Sequence, residues 1–113
     1  MAKYMKAVAF NGSPRKGGNT EILLREVLNV LDQKGFDTKL VQVGGKKVKG
    51  CIACMKCRQE KDGRCHQDNS FLNSCIEKML DADVILIGSP VYFSDITSET
   101  KALMDVAGYA LRG

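Results

Sequence analysis

The stretch from Met5 to Lys34 constrains the fold of this chain more than any other. Met5-Lys-Ala-Val-Ala-Phe10 is short and apolar and runs into Asn11-Gly12. From Thr20 to Lys34, Leu23, Leu24, Val27, Leu28 and Leu31 then recur at the spacing that lines one face of a helix. A buried strand, a glycine turn and an amphipathic helix in that order open a βα unit. Asn19 or Thr20 can cap the helix start, Glu21 suits its first turn, and Lys34-Gly35 supplies a last-turn cation followed by a C′ glycine.

The alternation continues. Phe36 to Val43 reads as a second strand with weaker patterning, suited to an edge. Leu72, Cys75, Ile76, Met79 and Leu80 mark one face of a helix from about Ser70 to Asp81. Val84-Ile-Leu-Ile-Gly88 is apolar without alternation, as expected of a parallel strand covered on both faces. A further helix from Ser98 to about Leu111 is expected to bury Leu103, Met104, Ala107 and Leu111. The order βαβ-(loop)-αβα predicts an α/β fold with a parallel sheet and right-handed crossovers. With 113 residues there is room for a single domain, 1–113, carrying a cysteine-rich loop at 44–68.

The turn Asn11-Gly-Ser-Pro-Arg-Lys-Gly-Gly-Asn-Thr20 sits where a helix N-terminus offers unpaired N–H groups and the positive end of its dipole. Gly17 and Gly18 allow close backbone approach, Ser13, Asn19 and Thr20 can donate to phosphate oxygens, and Arg15 adds a forked cation. It is not a P-loop, because Gly18 stands where the lysine belongs. It lacks the dinucleotide fingerprint, and Val43-Gly-Gly-Lys-Lys47 offers no carboxylate for a ribose. A mononucleotide suits it better than a dinucleotide; an ordinary glycine-rich βα turn is the alternative.

Gly88-Ser-Pro-Val-Tyr-Phe-Ser-Asp95 follows the third strand. In a doubly wound sheet the loops after strands 1 and 3 open onto the crevice where ligands bind. Pro90 would turn the chain and leave Val91, Tyr92 and Phe93 beside a flat ring. The competing reading makes Tyr92 and Phe93 caps on the core.

Hydrophobic residues at 44% and charged residues at 27% are ordinary for a globular chain. The longest aliphatic run, Val84–Ile87, falls far short of the roughly 20 residues of a membrane span. Met1-Ala-Lys-Tyr-Met-Lys6 does not read as a signal peptide. A cytoplasmic protein without membrane contact is expected. The basic loop Gly44-Gly-Lys-Lys-Val-Lys-Gly50 has neither aromatic interleaving nor a nucleic-acid motif, and reads as solvated or anion-screening rather than as a nucleic-acid site.

Five cysteines are informative in a reducing compartment, where disulfides are rare. Cys51, Cys54, Cys57 and Cys65 form C-x2-C-x2-C-x7-C, a spacing that lets one wrapping loop aim several thiolates at a common centre. Gly50 and Gly63 offer flexibility for the wrap. A structural zinc usually takes two separated knuckles, and a thioredoxin-like dithiol would sit at a helix start after the first strand. Both remain open, as does a cluster that is simply empty. Cys75 reads as core, and His66 as a loop residue rather than a ligand.

Gly12-Ser-Pro-Arg15 with Gly18-Asn-Thr20, followed by Gly88-Ser-Pro-Val-Tyr-Phe93, resembles the NAD(P)H-dependent FMN reductase branch of the flavodoxin-like superfamily from Lys6 onward. The cysteine motif is similar to that of its iron–sulfur flavoprotein subgroup. The resemblance implies a three-layer sandwich with strand order 2-1-3 present and strands 4 and 5 missing, so that the chain is truncated or a second chain covers Val84–Ile87. It implies an FMN phosphate held by Ser13, Arg15, Gly18, Asn19 and Thr20, and the isoalloxazine contacted by Pro90, Val91, Tyr92 and Phe93. It further implies a [4Fe–4S] cluster on Cys51, Cys54, Cys57 and Cys65. The implied activity is oxidoreduction, with NAD(P)H or another donor supplying electrons through FMN and the cluster to an acceptor. A homo-oligomer and a redox-partner protein come with it. A non-enzymatic electron carrier with the same cofactors is the rival, and a fragment with weak or no FMN binding the third reading.

Overall fold

The structure, a computed structural model, describes residues 5–111. Met1–Tyr4, most of the segment whose sequence argued against a signal peptide, lie outside the described residues, as do Arg112 and Gly113.

Seven elements follow one another: β1 (Lys6–Asn11), α1 (Asn19–Gln33), β2 (Asp37–Gln42), α2 (Lys56–Glu60), α3 (Ser70–Asp81), β3 (Val84–Gly88) and α4 (Ser98–Leu111). The three strands form one parallel sheet in the order β2-β1-β3. This is the flavodoxin-like α/β arrangement expected from the alternation of strand and helix. The short α2, inside the cysteine segment, is an addition that no apolar periodicity announced.

β1 is the central strand, and its side chains divide the core in two. Ala7 and Ala9 point to the layer of α1, where they meet Leu24 and Leu28. Val8 and Phe10 point to the opposite layer, against Leu72, Cys75, Ile76 and Met79 of α3 and Leu103, Val106 and Ala107 of α4. The small alanines let α1 approach closely, whereas the larger face carries two helices.

α1 ends with the expected C′ glycine, but it stops at Gln33, so Lys34 is the C-cap and the last turn carries no cation. Gly35 adopts φ +92°, its N–H donates to the Asp32 carbonyl, and the Phe36 N–H donates to that of Leu31. This paired arrangement is a Schellman closure, which needs a left-handed residue at that position. The start differs: Gly18 is the cap and uses no side chain, so Asn19 and Thr20 lie inside the first turn.

The buried stripes are narrower than the sequence suggests. On α1, Leu24 and Leu28 are buried, but Leu23 and Val27 face outward. Leu80, Met104 and Leu111 are likewise exposed, while Thr100, Ala102, Val106 and Ala110 fill the inner face of α4. β3 is not covered on both faces. Val84 and Leu86 are partly buried on the α1 side, and Ile85 and Ile87 are 44% and 42% exposed on the other. The physical reason is topological: β3 pairs with β1 and with no other described strand, so one edge and the flanking apolar surface stay open.

Candidate functional site

The loops after β1 and β3 leave from adjacent strand ends. Asn11 pairs in register with Gly88, and the Gly12 N–H donates to the Gly88 carbonyl at 2.7 Å. One chain connection from β1 leads through α1 to β2 on one side, while β3 lies on the other. The crevice between the two loops is therefore the switch point of the sheet.

Asn11 organises the first loop. It is fully buried, its Oδ1 accepts the Ser13 N–H at 3.0 Å, and its Nδ2 donates to Gln42 Oε1 at 3.0 Å. Gln42 in turn donates through Nε2 to the carbonyls of Ser13 at 2.7 Å and Gly44 at 2.8 Å. Ser13 Oγ accepts the Arg15 N–H at 3.1 Å, leaving Pro14, Arg15 and Lys16 exposed at the tip. Gly17 adopts φ +73°, and its N–H donates to the Glu21 carboxylate at 2.9 Å. That bond, with Arg25 beside it, holds the Glu21 carboxyl below its usual range. Asn19 and Thr20 present first-turn amides, which have no acceptor within their own helix. The expected residues of the cradle thus share one loop and one helix start, with Ser13 buried and the basic side chains free at the surface.

The second loop carries backbone strain. Phe93 and Ser94 adopt φ +44° and +68° at the centre of a tight turn in which Tyr92 and Asp95 exchange N–H···O bonds of 2.7 and 3.1 Å. Such a turn favours Asn-Gly, and a bulky residue there is unusual. Phe93 is fully exposed, and Val91 and Tyr92 are exposed beside it. They are not caps on the core.

The cysteines lie on the α4 side of the sheet. Cys51, Cys54, Cys57 and Cys65 line one concavity, with Met55, His66, Val106 and Tyr109 among its walls. Among the described residues no three His, Cys, Asp or Glu side chains converge tightly enough to hold a single metal ion. Most of the wrap is made by residues other than glycine: Ala53, Met55 and Lys61 adopt φ +58°, +65° and +53°. Gly63 contributes φ +71°, as its position suggested. Several amides reach the sulfurs. Ala53 N–H donates to Cys51 Sγ at 3.4 Å, and Gln67 Nε2 to Cys54 Sγ at 3.2 Å. The Lys56 N–H and Gln67 together lower the Cys54 thiol from its usual value. Buried Asn73 clasps the backbone of Cys65 on both sides, accepting its N–H at 2.7 Å and donating to its carbonyl at 2.9 Å. His66 bonds Asp62 at 3.0 Å, as befits a loop residue. Cys75 is core: burial pushes its thiol up to about 11.

The profile of the NADPH-dependent FMN reductase family matches residues 5–113. The chain belongs to that family. An iron-sulfur flavoprotein of Methanocaldococcus jannaschii is 39% identical over 101 residues, which cover 89% of this chain and 51% of the relative. One of Methanosarcina thermophila is 37% identical over 101 residues, with the same coverage of 89% and 51%. The chain spans about half the length of the curated relatives it matches. The solved apo structure of an NADH:FMN oxidoreductase superposes with a TM-score of 0.63 at 22% identity, over 90% of this chain and 49% of that one, and supports the fold.

In this member of the FMN reductase family, the sequence points to the residues of both loops, buried Ser13 among them, but not to the side chains of Asn11, Gln42 and Thr97 that tie the loops in place. Asn11 and Gln42 are legible only as a polar residue at a strand end. Thr97 sits three residues before Thr100 at the start of α4, a capping signal that went unused. Glu99, which accepts the Gly45 N–H, leaves no local trace because its partner is 54 residues away.

Proposed function

We propose that this chain is an FMN-binding oxidoreductase of the iron–sulfur flavoprotein type, taking electrons from NAD(P)H or another two-electron donor and serving a separate acceptor. The observation that carries it is the juxtaposition at the sheet's switch point: a glycine-rich helix-entry loop beside a strained, outward-facing Val91-Tyr92-Phe93 loop.

The residues suit the cofactors in kind. Arg15 and the first-turn amides of Asn19 and Thr20 would hold a phosphate, with Ser13 fixing the loop. Exposed Val91, Tyr92 and Phe93, with half-buried Pro90 before them, offer apolar surface for a flat ring. Cys51, Cys54, Cys57 and Cys65 all line one concavity, a four-thiolate donor set of the kind a [4Fe–4S] group takes, and N–H donors already aim at three of their sulfurs. FMN would supply exchange between hydride and one-electron chemistry, and the protein supplies position and electrostatics. The names of the relatives support the same reading. A redox-partner protein and a homo-oligomer belong to this proposal.

Anaerobic purification, followed by reconstitution with FMN, iron and sulfide, tests it by absorbance and by iron and sulfide analysis. Stoichiometric flavin with acid-labile sulfide, and steady-state oxidation of NADH or NADPH, are expected. Failure to retain flavin would overturn the reading. Flavin without sulfide would leave a plain flavin reductase, and both cofactors without NAD(P)H turnover a carrier.

A further inference from the structure

Thr97 lies between the two loops of the crevice and has no surface of its own, being 1% exposed. Its Oγ1 is 2.8 Å from the Gly12 carbonyl oxygen and 2.7 Å from Thr100 Oγ1, and it accepts the Thr100 N–H at 3.2 Å. The carbonyl can only accept, so the Thr97 proton is committed to Gly12 and the Thr100 hydroxyl must donate to Thr97. One bond given and two received saturate that oxygen. The Thr97 backbone N–H points the other way, to Ser89 Oγ at 3.0 Å, and the Ser89 hydroxyl passes its own proton to the Pro90 carbonyl at 2.8 Å. A single residue thus joins the loop after β1, the loop after β3 and the first turn of α4. The fit leaves no slack, since a Cβ on Gly12 would lie 1.8 Å from Thr100 Oγ1.

We propose that Thr97 is a positioning residue that sets the distance between the Gly12–Thr20 loop and the Pro90–Phe93 loop, acting through Gly12 and Ser89. It rests on the FMN reading above and deepens it. A ligand gripped at both ends by one rigid frame gains from correct spacing, whereas a ligand gripped at one end does not. Riboflavin is the natural probe of the difference, because it keeps the ring and lacks the phosphate. Thr97 should therefore govern discrimination between FMN and riboflavin rather than affinity for flavins in general.

Fluorescence titration of FMN and riboflavin against the full chain tests this. Thr97→Val keeps the shape and removes the hydroxyl; it should weaken FMN about tenfold and riboflavin less than about twofold. Thr97→Ser should restore FMN binding. Thr100→Val deletes a hydroxyl from the same buried cluster but keeps the Thr97–Gly12 bond, so it should lower stability without changing the FMN-to-riboflavin ratio. Ser89→Ala breaks the other end of the bracket at a half-buried position and should reproduce the FMN-selective loss even where Thr97→Val folds poorly. Equal weakening of both flavins, or an unchanged ratio in Thr97→Val and Ser89→Ala, overturns the positioning role while leaving the FMN reading intact. A wild-type chain that binds neither flavin overturns both.

Discussion

The carboxylate of Glu99 accepts the backbone N–H of Gly45 at 2.7 Å, so the first turn of α4 holds the loop that leads into the cysteine segment. That amide is the main cause of a Glu99 carboxyl held below its usual range. A carboxyl depressed in the folded state adds stability that is present at neutral pH and disappears as pH falls through its folded value. Glu99→Gln should therefore unfold at lower temperature than wild type at pH 7, and the two should converge in acid, below the ordinary glutamate range. Thermal melts across pH check this, and a difference undiminished in acid would show that charge is not its source.

Gly44 and Gly17 should respond very differently to alanine. A Cβ at Gly44 would lie 2.2 and 2.3 Å from the carbonyl carbon and oxygen of Ser13, backbone atoms that cannot swing aside. Gly17 has open space around it and only its φ of +73° to object. Urea unfolding should show a loss of about 3 kcal/mol for Gly44→Ala and roughly 1 kcal/mol for Gly17→Ala. Comparable losses would mean that the Gly44 contact relaxes.

Cysteine alkylation should follow exposure and thiol acidity. In the cofactor-free protein at neutral pH, Cys54, exposed and lowered by its amide donors, should be modified early. Cys75, buried and pushed up to about 11, should be modified only on unfolding. Peptide mass mapping over time reads the order. After iron and sulfide reconstitution, Cys51, Cys54, Cys57 and Cys65 should all become protected together; protection of only some of them contradicts the assigned ligand set.

Replacing Cys57 with serine should remove iron and sulfide while leaving FMN binding within about twofold of wild type, a difference of under about 0.5 kcal/mol. The four clustered cysteines line a concavity walled by Val106 and Tyr109 late in α4, whereas the loops proposed to hold flavin meet where α4 begins. Parallel iron analysis and flavin titration check the separation, and joint loss of both would argue that the two sites fold as one.

The open edge of β3 predicts association. Ile85 and Ile87 share the sheet face of Val8 and Phe10 but lack a covering helix, and the strand's outer N–H and C=O groups have no described partner strand. Light scattering after size exclusion should find a species larger than one chain, shifted towards the monomer by Ile87→Lys. A monodisperse wild-type monomer across concentrations contradicts this.

Much of the architecture is local and was therefore legible. Ser70–Asp81 and Ser98–Leu111 appear with the bounds their periodicity predicts, and the Lys34-Gly35 ending closes α1 as a Schellman turn needs. Glycines and prolines placed both site loops, because backbone freedom and its restriction are properties of single residues. The sequence by itself thus determined the order of the three strands and three long helices, the helix-entry loop and the set of clustered thiols. What it could not decide was which apolar residues would find cover: Leu23, Val27, Leu80 and Ile87 match Leu24 and Leu28 in chemistry and differ only in what lies opposite. Nor could it show Asn11 meeting Gln42, or Thr97 meeting Gly12 across 85 residues. Hydrogen bonds of that kind depend on atoms brought within 3 Å by the packing of the sheet, and no local pattern encodes such a distance. The two loops proposed to hold a flavin were readable from the chain, and the residues that hold those loops in place emerged only from the tertiary structure.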